Sequence, residues 1–172
     1  MEQVILVDTK DNAIGQMEKL EAHKKGALHR AFSVLIFNDK GEMLLQKRAE
    51  SKYHSGGLWT NACCSHPRPD EDTAQAAKRR LQEEIGLDIT PRFVYKFIYK
   101  TDFNNDLIEH ELDYVFIGEH NGAPNINKDE VSDWKYMAIN DLKKDITAHP
   151  EQYTVWFKII VENIDKHLTL TA

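Results

Sequence analysis

Residues 65–87 read Ser65-His-Pro-Arg-Pro-Asp-Glu-Asp-Thr-Ala-Gln-Ala-Ala-Lys-Arg-Arg-Leu-Gln-Glu-Glu-Ile-Gly-Leu87. Ala74, Ala77, Leu81 and Ile85 recur at helical spacing, which predicts a helix over Thr73–Ile85. Asp72 or Thr73 supplies its cap, and Gly86 ends it. Along this helix Arg79, Glu83 and Glu84 fall one turn apart, and Arg80 and Glu84 form an i, i+4 pair. Carboxylates on a helix edge beside a loop can hold Mg²⁺ against a phosphate, because Mg²⁺ takes hard oxygen ligands and leaves room for substrate oxygens. On an isolated helix the same residues read as a solvated charged face.

Around this helix the chain is rich in strands. Val4–Val7 reads as a short strand, Asp11-Asn12 as a turn, and Gln16–Lys24 as a weak helix or loop. Residues 31–37 are a β-prone run, and Glu42–Lys47 pairs back on it as a hairpin across the turn at Asn38–Gly41. Residues 53–61, with Gly56-Gly57, read as irregular. Arg92–Thr101 and Leu107–Gly118 are strands joined at Asn104-Asn105, and Trp134–Ile139 is a shorter strand. Asp141–Ala148 and Glu151–His167 are helical, with Pro150 between them. Strands flanking one strong helix, with helix at the end, predict an α+β sandwich with a mixed sheet rather than a βαβ alternation. With no internal repeat or linker, a single domain over 1–172 is expected.

The chain has 172 residues, 22 Lys plus Arg and 28 Asp plus Glu, for a formal net charge of -6. That balance disfavours nucleic acid as a partner, and equally a polybasic hold on membranes. It leaves an anionic small molecule open, since a local basic pocket or a bound cation can outweigh the global sign. The two cysteines, Cys63 and Cys64, are adjacent and close no useful loop. Reduced thiols, no visible signal peptide and no apolar run long enough to span a bilayer make a cytoplasmic location the expectation.

Three further clusters carry chemistry. In Trp59-Thr-Asn-Ala-Cys-Cys-Ser-His-Pro67, Cys64 and His66 are two apart, so an extended backbone points both the same way. A thiol is an acid/base whose pKa a neighbouring cation can tune, and a buried Cys is otherwise a small hydrophobe. In Glu109-His110-Glu111 strand alternation puts the two acids on one face, where they repel unless a metal or a shared proton lies between them. The alternative is a solvent-facing strand edge. His23 and His29 lie at the mouth of the first long strand, and two histidines with two carboxylates suit Mn²⁺ or Zn²⁺.

Residues 65–87 resemble the Nudix box, G-x5-E-x7-R-E-U-x-E-E-x-G-U with U a bulky apolar residue. Glu71, Arg79, Leu81, Glu83-Glu84 and Gly86-Leu87 match it, Ser65 replaces the first Gly, and Arg80 replaces the Glu after the Arg. Arg80 puts a cation where a Nudix pyrophosphohydrolase gathers anions to bind metal and activate water, and this speaks against that activity on a nucleotide or prenyl diphosphate. From about residue 3 to 160 the chain resembles the type 1 isopentenyl-diphosphate delta-isomerases, which have the Nudix fold. The resemblance is carried by Glu18-Lys19 with His23, Leu28–Ser33, Arg48-Ala49, Ser51-Lys52, Trp59–Pro67, Arg79–Leu81, Glu83–Gly86, Glu109–Glu111 and Trp156.

The resemblance implies a Nudix-like α/β/α sandwich and an isomerase that interconverts isopentenyl and dimethylallyl diphosphate by a 1,3-proton shift, in isoprenoid biosynthesis. It implies Cys64 and Glu111 as the opposed acid/base pair, with Tyr99 relaying a proton beside Glu111. Trp156 would stabilise the carbocation through its π face. By the same resemblance His23, His29, His66, Glu109 and Glu111 hold Mn²⁺ or Zn²⁺, and Glu84 holds a Mg²⁺ bridged to the substrate diphosphate. Lys19, Arg48, Lys52 and Arg80 bind the diphosphate itself. A metal-stabilised binding module without turnover is a third reading, weakened because every expected catalytic position is filled.

Overall fold

The run 29–37 is apolar on both faces because it is covered on both faces. In the computed structural model, which describes residues 1–52 and 54–168, strand β3 (His29–Phe37) is buried along nearly its whole length. Its alternate side chains feed two cores. Phe32, Val34 and Ile36 pack with Ala76, Ala77, Leu81 and Ile85, and Leu35 and Phe37 pack with Tyr153, Trp156, Phe157 and Ile160. A helix therefore lies on each side of the sheet, which is the sandwich expected from the sequence.

The other elements in chain order are β1 (Gln3–Val7), β2 (Ala13–Glu18), α1 (Lys19–Lys25), β4 (Glu42–Arg48), β5 (Trp59–Thr60), β6 (Cys63–Ser65) and α2 (Thr73–Ile85). There follow β7 (Arg92–Asp102), β8 (Ile108–Glu119), β9 (Val131–Ala138), α3 (Ile139–Ala148), a 3₁₀ turn (Pro150–Gln152), α4 (Val155–Glu162) and α5 (Ile164–His167). The single domain expected over 1–172 includes residues 53 and 169–172, which lie outside those described. Among the described residues no helix is long and apolar enough to cross a membrane.

Several local readings change: Glu151–His167 divides into the end of the 3₁₀ turn, α4 and α5, and Trp59–Thr60 of the stretch read as irregular forms β5. Gln16–Lys24 divides into the end of β2, which pairs with β1, and helix α1. Glu18 caps that helix, its carboxylate accepting from the Leu20 and Glu21 amides at 3.0 Å each. The expected β3–β4 hairpin meets only at Phe37 opposite Met43. Beyond that pair the strands diverge. β4 runs antiparallel to β9, and β3 runs parallel to β8 and antiparallel to β6. The local turn chemistry is right, but a turn fixes only its own ends, and β3 and β4 each take their long ladder with a different strand.

Helix α2 begins and ends where its sequence says. The Asp72 side chain accepts from the Gln75 amide, and Gly86 closes the helix in the left-handed region at φ 66°. A Cβ at Gly86 would meet the Asn125 carbonyl oxygen at 2.8 Å, so both backbone strain and contact oppose any other residue there. Urea unfolding should place Gly86→Ala about 1–3 kcal/mol below wild type, a larger loss than the roughly 1 kcal/mol expected for Asp72→Ala. Equal small losses would refute the close approach.

Candidate active site

Strand β8 pairs with β3 on one side and β7 on the other, so its side chains lie in the middle of the sheet. Its alternation sends Glu109, Glu111 and Asp113 to one face, all buried. His110 faces away, its Nδ1 donating to the Gly26 carbonyl at 3.1 Å. Register then builds the first half of the site. Glu111 stands opposite His29 of β3 and opposite Tyr99 of β7, three residues in one row across three strands. The Tyr99 hydroxyl donates to Glu111 Oε1 at 2.6 Å, and His29 Nε2 lies 3.1 Å from Oε2. His66, which follows β6, brings its Nε2 to 2.6 Å from the same Oε2.

His23 enters from α1. Its Nδ1 donates to the Lys19 carbonyl at 2.7 Å, as the His29 Nδ1 donates to the Ala27 carbonyl at 2.9 Å. A carbonyl on Nδ1 fixes the tautomer and turns the Nε2 lone pair inward, the arrangement common in metal-ligating histidines. One ligand atom each from His23, His29, His66 and Glu111 falls within 4.8 Å of the others. Glu109, expected in the same set, groups instead with His23 and with His54.

The charges fit a cation. Burial disfavours ionising Glu111, but His66 and His29 outweigh it and hold the carboxyl well below the usual carboxylate range. Burial, then the charge on Glu111, pushes Glu109 well above that range. Without a metal the two buried acids resist ionising together. Burial also lowers His66 to about 4 and depresses His23, leaving neutral rings, the form that ligates. Glu109 Oε2 and His66 Nδ1 are buried without a hydrogen-bond partner. Nitrogen and carboxylate donors this close suit a borderline divalent ion.

Strand β6 divides the two cysteines as expected. Cys63 points into the α2 core, fully buried, with Sγ 3.5 Å from Glu84 Oε2. Cys64 points the other way and lines a cavity of about 330 Å³ together with His66, Glu109, Glu111 and Trp156. Burial pushes the Cys64 thiol up to about 12, although Arg48, with Nη1 3.9 Å from Sγ, opposes the shift. The Arg48 guanidinium also lies 5.3 Å from the Trp156 ring centre.

All four expected diphosphate cations, Lys19, Arg48, Lys52 and Arg80, line that cavity. Three of them have carboxylate partners. Lys19 reaches Glu2 at 3.4 Å, Lys52 pairs with Glu130, and Arg80 spans Glu83 at 2.6 Å, Glu84 at 3.1 Å and Glu130 at 3.4 Å. Glu84 is not among the lining residues; its carboxylate takes Gln46 Nε2 at 3.1 Å on one oxygen and Arg80 on the other. Glu71 and Glu83 are likewise bound to Arg79, the former through two guanidinium nitrogens at 2.8 and 2.9 Å. The box carboxylates are therefore occupied by arginines.

Sequence reasoning missed His54, Asp113 and Glu130. Asp113 had a signal, since the 109–111 alternation continues to it; it accepts from the Ser33 hydroxyl at 2.8 Å. Glu130 lies in the connection before β9 and His54 in the irregular stretch after β4, where no periodicity points to a partner.

Comparison with known proteins identifies the family and the fold. The NUDIX domain model matches residues 27–157. Among solved structures, DR0079 from Deinococcus radiodurans superposes with a TM-score of 0.76 at 18% identity, covering 94% of this chain and 98% of that one, a likeness of fold alone. Isopentenyl-diphosphate Delta-isomerase 2 of Photorhabdus laumondii is 52% identical over 95% of this chain and 92% of its own. Its namesake in Aromatoleum aromaticum is 48% identical over 95% of this chain and 86% of its own. With identity at that level along almost its whole length, the chain belongs to the isopentenyl-diphosphate Delta-isomerase family, on a NUDIX fold.

Proposed function

We propose that this enzyme interconverts isopentenyl diphosphate and dimethylallyl diphosphate by adding a proton at one carbon and removing one two carbons away. The observation that carries the reading is the pair on the cavity wall. Cys64 and Glu111 line one cavity and the Tyr99 hydroxyl donates to Glu111 at 2.6 Å, while burial favours the protonated thiol and the contacts from His66 and His29 favour the ionised carboxyl. One group enters the cycle with a proton and the other without, as a 1,3-shift requires. Tyr99, itself buried and shifted well above its usual range, stays a hydroxyl and relays a proton at Glu111 Oε1.

Protonating an alkene leaves a tertiary cation, which the site must stabilise and keep dry. Trp156, buried on α4 and already beside the Arg48 cation, presents an indole to it. Such an interaction is worth about 2 kcal/mol when desolvated. Lys19, Arg48, Lys52 and Arg80 bind the diphosphate; guanidinium forks match phosphate oxygens. Glu130 holds Lys52 and Arg80 in place until phosphate replaces it. His23, His29, His66, Glu109 and Glu111 would hold Mn²⁺ or Zn²⁺, and Glu84 a Mg²⁺ arriving with the diphosphate. When bound, these ions supply fixed positive charge that lets Glu109 and Glu111 ionise together and neutralises the phosphates.

Incubation with isopentenyl diphosphate and Mg²⁺ in D₂O should yield dimethylallyl diphosphate carrying deuterium, seen by NMR. Absence of both overturns the reading, and release of phosphate in their place would favour a hydrolase.

Cys64→Ala and Glu111→Gln should each lower kcat by about 10²–10⁴-fold, the usual worth of a positioned acid or base, while Cys63→Ala retains most activity. A dead Cys63→Ala beside an active Cys64→Ala would reverse the assignment.

The raised Cys64 thiol predicts a pH profile as well. In a Cys63→Ala background, alkylation of Cys64 by iodoacetamide should rise with pH through 9 and beyond, since thiolate accumulates only toward about 12. A plateau near pH 8 would mean a resting thiolate.

A further inference from the structure

We propose that His54 is a ligand of the divalent cation, acting with Glu109 and His23. This inference rests on reading the histidine–glutamate cluster as a cation site, and it adds a donor outside the five expected from sequence.

The distances suggest it. His54 Nε2 lies 3.7 Å from Glu109 Oε2, and His23 Nε2 lies 3.8 Å from Glu109 Oε1. Both separations are too long for hydrogen bonds. They are the separations of ligands sharing an ion, because donors about 2.1 Å from one metal stand roughly 3.0–4.2 Å apart. Glu109 Oε2 is buried and has no hydrogen-bond partner, so a bound cation would satisfy an otherwise unpaired oxygen. His54, His23 and Glu109 each place one donor atom within 4.8 Å of the other two.

The ring is held in the pose a ligand needs. His54 is 8% exposed. It stacks on Phe103 with centroids 4.7 Å apart and planes 10° apart, and stands edge-on to Trp156 at 6.0 Å and 88°. Its Nδ1 lies 3.2 Å from Ser55 Oγ. Donation from Nδ1 to that hydroxyl leaves the Nε2 lone pair facing Glu109, as the Lys19 and Ala27 carbonyls do for His23 and His29.

The two ligand groups share His23, so an ion seated against it borders both. His23, His29, His54, His66, Glu109 and Glu111 together provide six donors. A cation held against His23, His54 and Glu109 would supply positive charge beside Glu109 and would tie the segment after β4 to β8.

The test reads metal binding directly. In metal-stripped wild-type protein labelled with ¹⁵N-histidine, Zn²⁺ should move the ring-nitrogen resonances of four of the eight histidines at saturation. Three or fewer overturns the proposal, and this measurement needs no variant. His54→Ala should also bind Co²⁺ about tenfold or more weakly by calorimetry and alter the visible spectrum of the bound ion. A variant with wild-type affinity and spectrum overturns the proposal. Isomerisation assayed separately distinguishes the two readings. Turnover with three responding histidines removes His54 and keeps the proposed function, whereas four responding histidines without turnover do the reverse.

Discussion

Glu111 is the constraint around which the rest is arranged. A carboxylate taken out of water costs several kcal/mol even after the protein relaxes, unless partners replace the lost solvent. Here the replacements come from three directions. Tyr99 is supplied by the neighbouring antiparallel strand, His29 by the neighbouring parallel strand, and His66 from beyond β6. Each can reach Glu111 only if β7, β8, β3 and β6 keep their registers. A one-residue slip of β8 would send Glu111 to the opposite face and bring His110 inward. The carboxylate therefore depends on the sheet, and the order of the sheet decides what the carboxylate can do.

Burial comes first in setting the states of the groups around Glu111: together with that nearby carboxylate it raises Glu109 above the usual carboxylate range and favours the Tyr99 hydroxyl. Burial does the same for the Cys64 thiol. A second charge, cationic this time, gathers on the other side of the cavity, where Arg80 draws Glu83, Glu84 and Glu130 to itself. That arrangement explains why a Nudix box can sit in an isomerase. In the metal-free protein its acids pair with arginines, and Glu84 would have to exchange Arg80 for the Mg²⁺ proposed to arrive with the diphosphate. An acidic protein of net charge -6 thus presents four cations to one cavity.

Much of this was legible in the chain. Helix α2 was visible to the residue, because its cap, its apolar period and its terminal glycine agree with one another. The opposite orientations of Cys63 and Cys64, and the shared face of Glu109 and Glu111, follow from strand alternation. The β3–β4 hairpin was largely misread because a good turn fixes only its own ends; which long strands pair depends on apolar faces far apart in sequence. The division of Gln16–Lys24 was hidden for a similar reason, since β2 is mostly exposed and shows no apolar face.

By itself, then, the sequence determined which residue types exist and which way neighbours point, because alternation and helical period are local properties. It brought Cys64 and His66 to one side and paired Arg80 with Glu84. Only the tertiary structure decided that Glu109 keeps company with His54 and His23, that Glu84 lies behind Arg80, and that Glu130 joins Lys52 to Arg80. Those meetings join segments from separate strands, helices and connections, and no local period encodes them. They are fixed by strand register and by the need of every buried charge to find a partner.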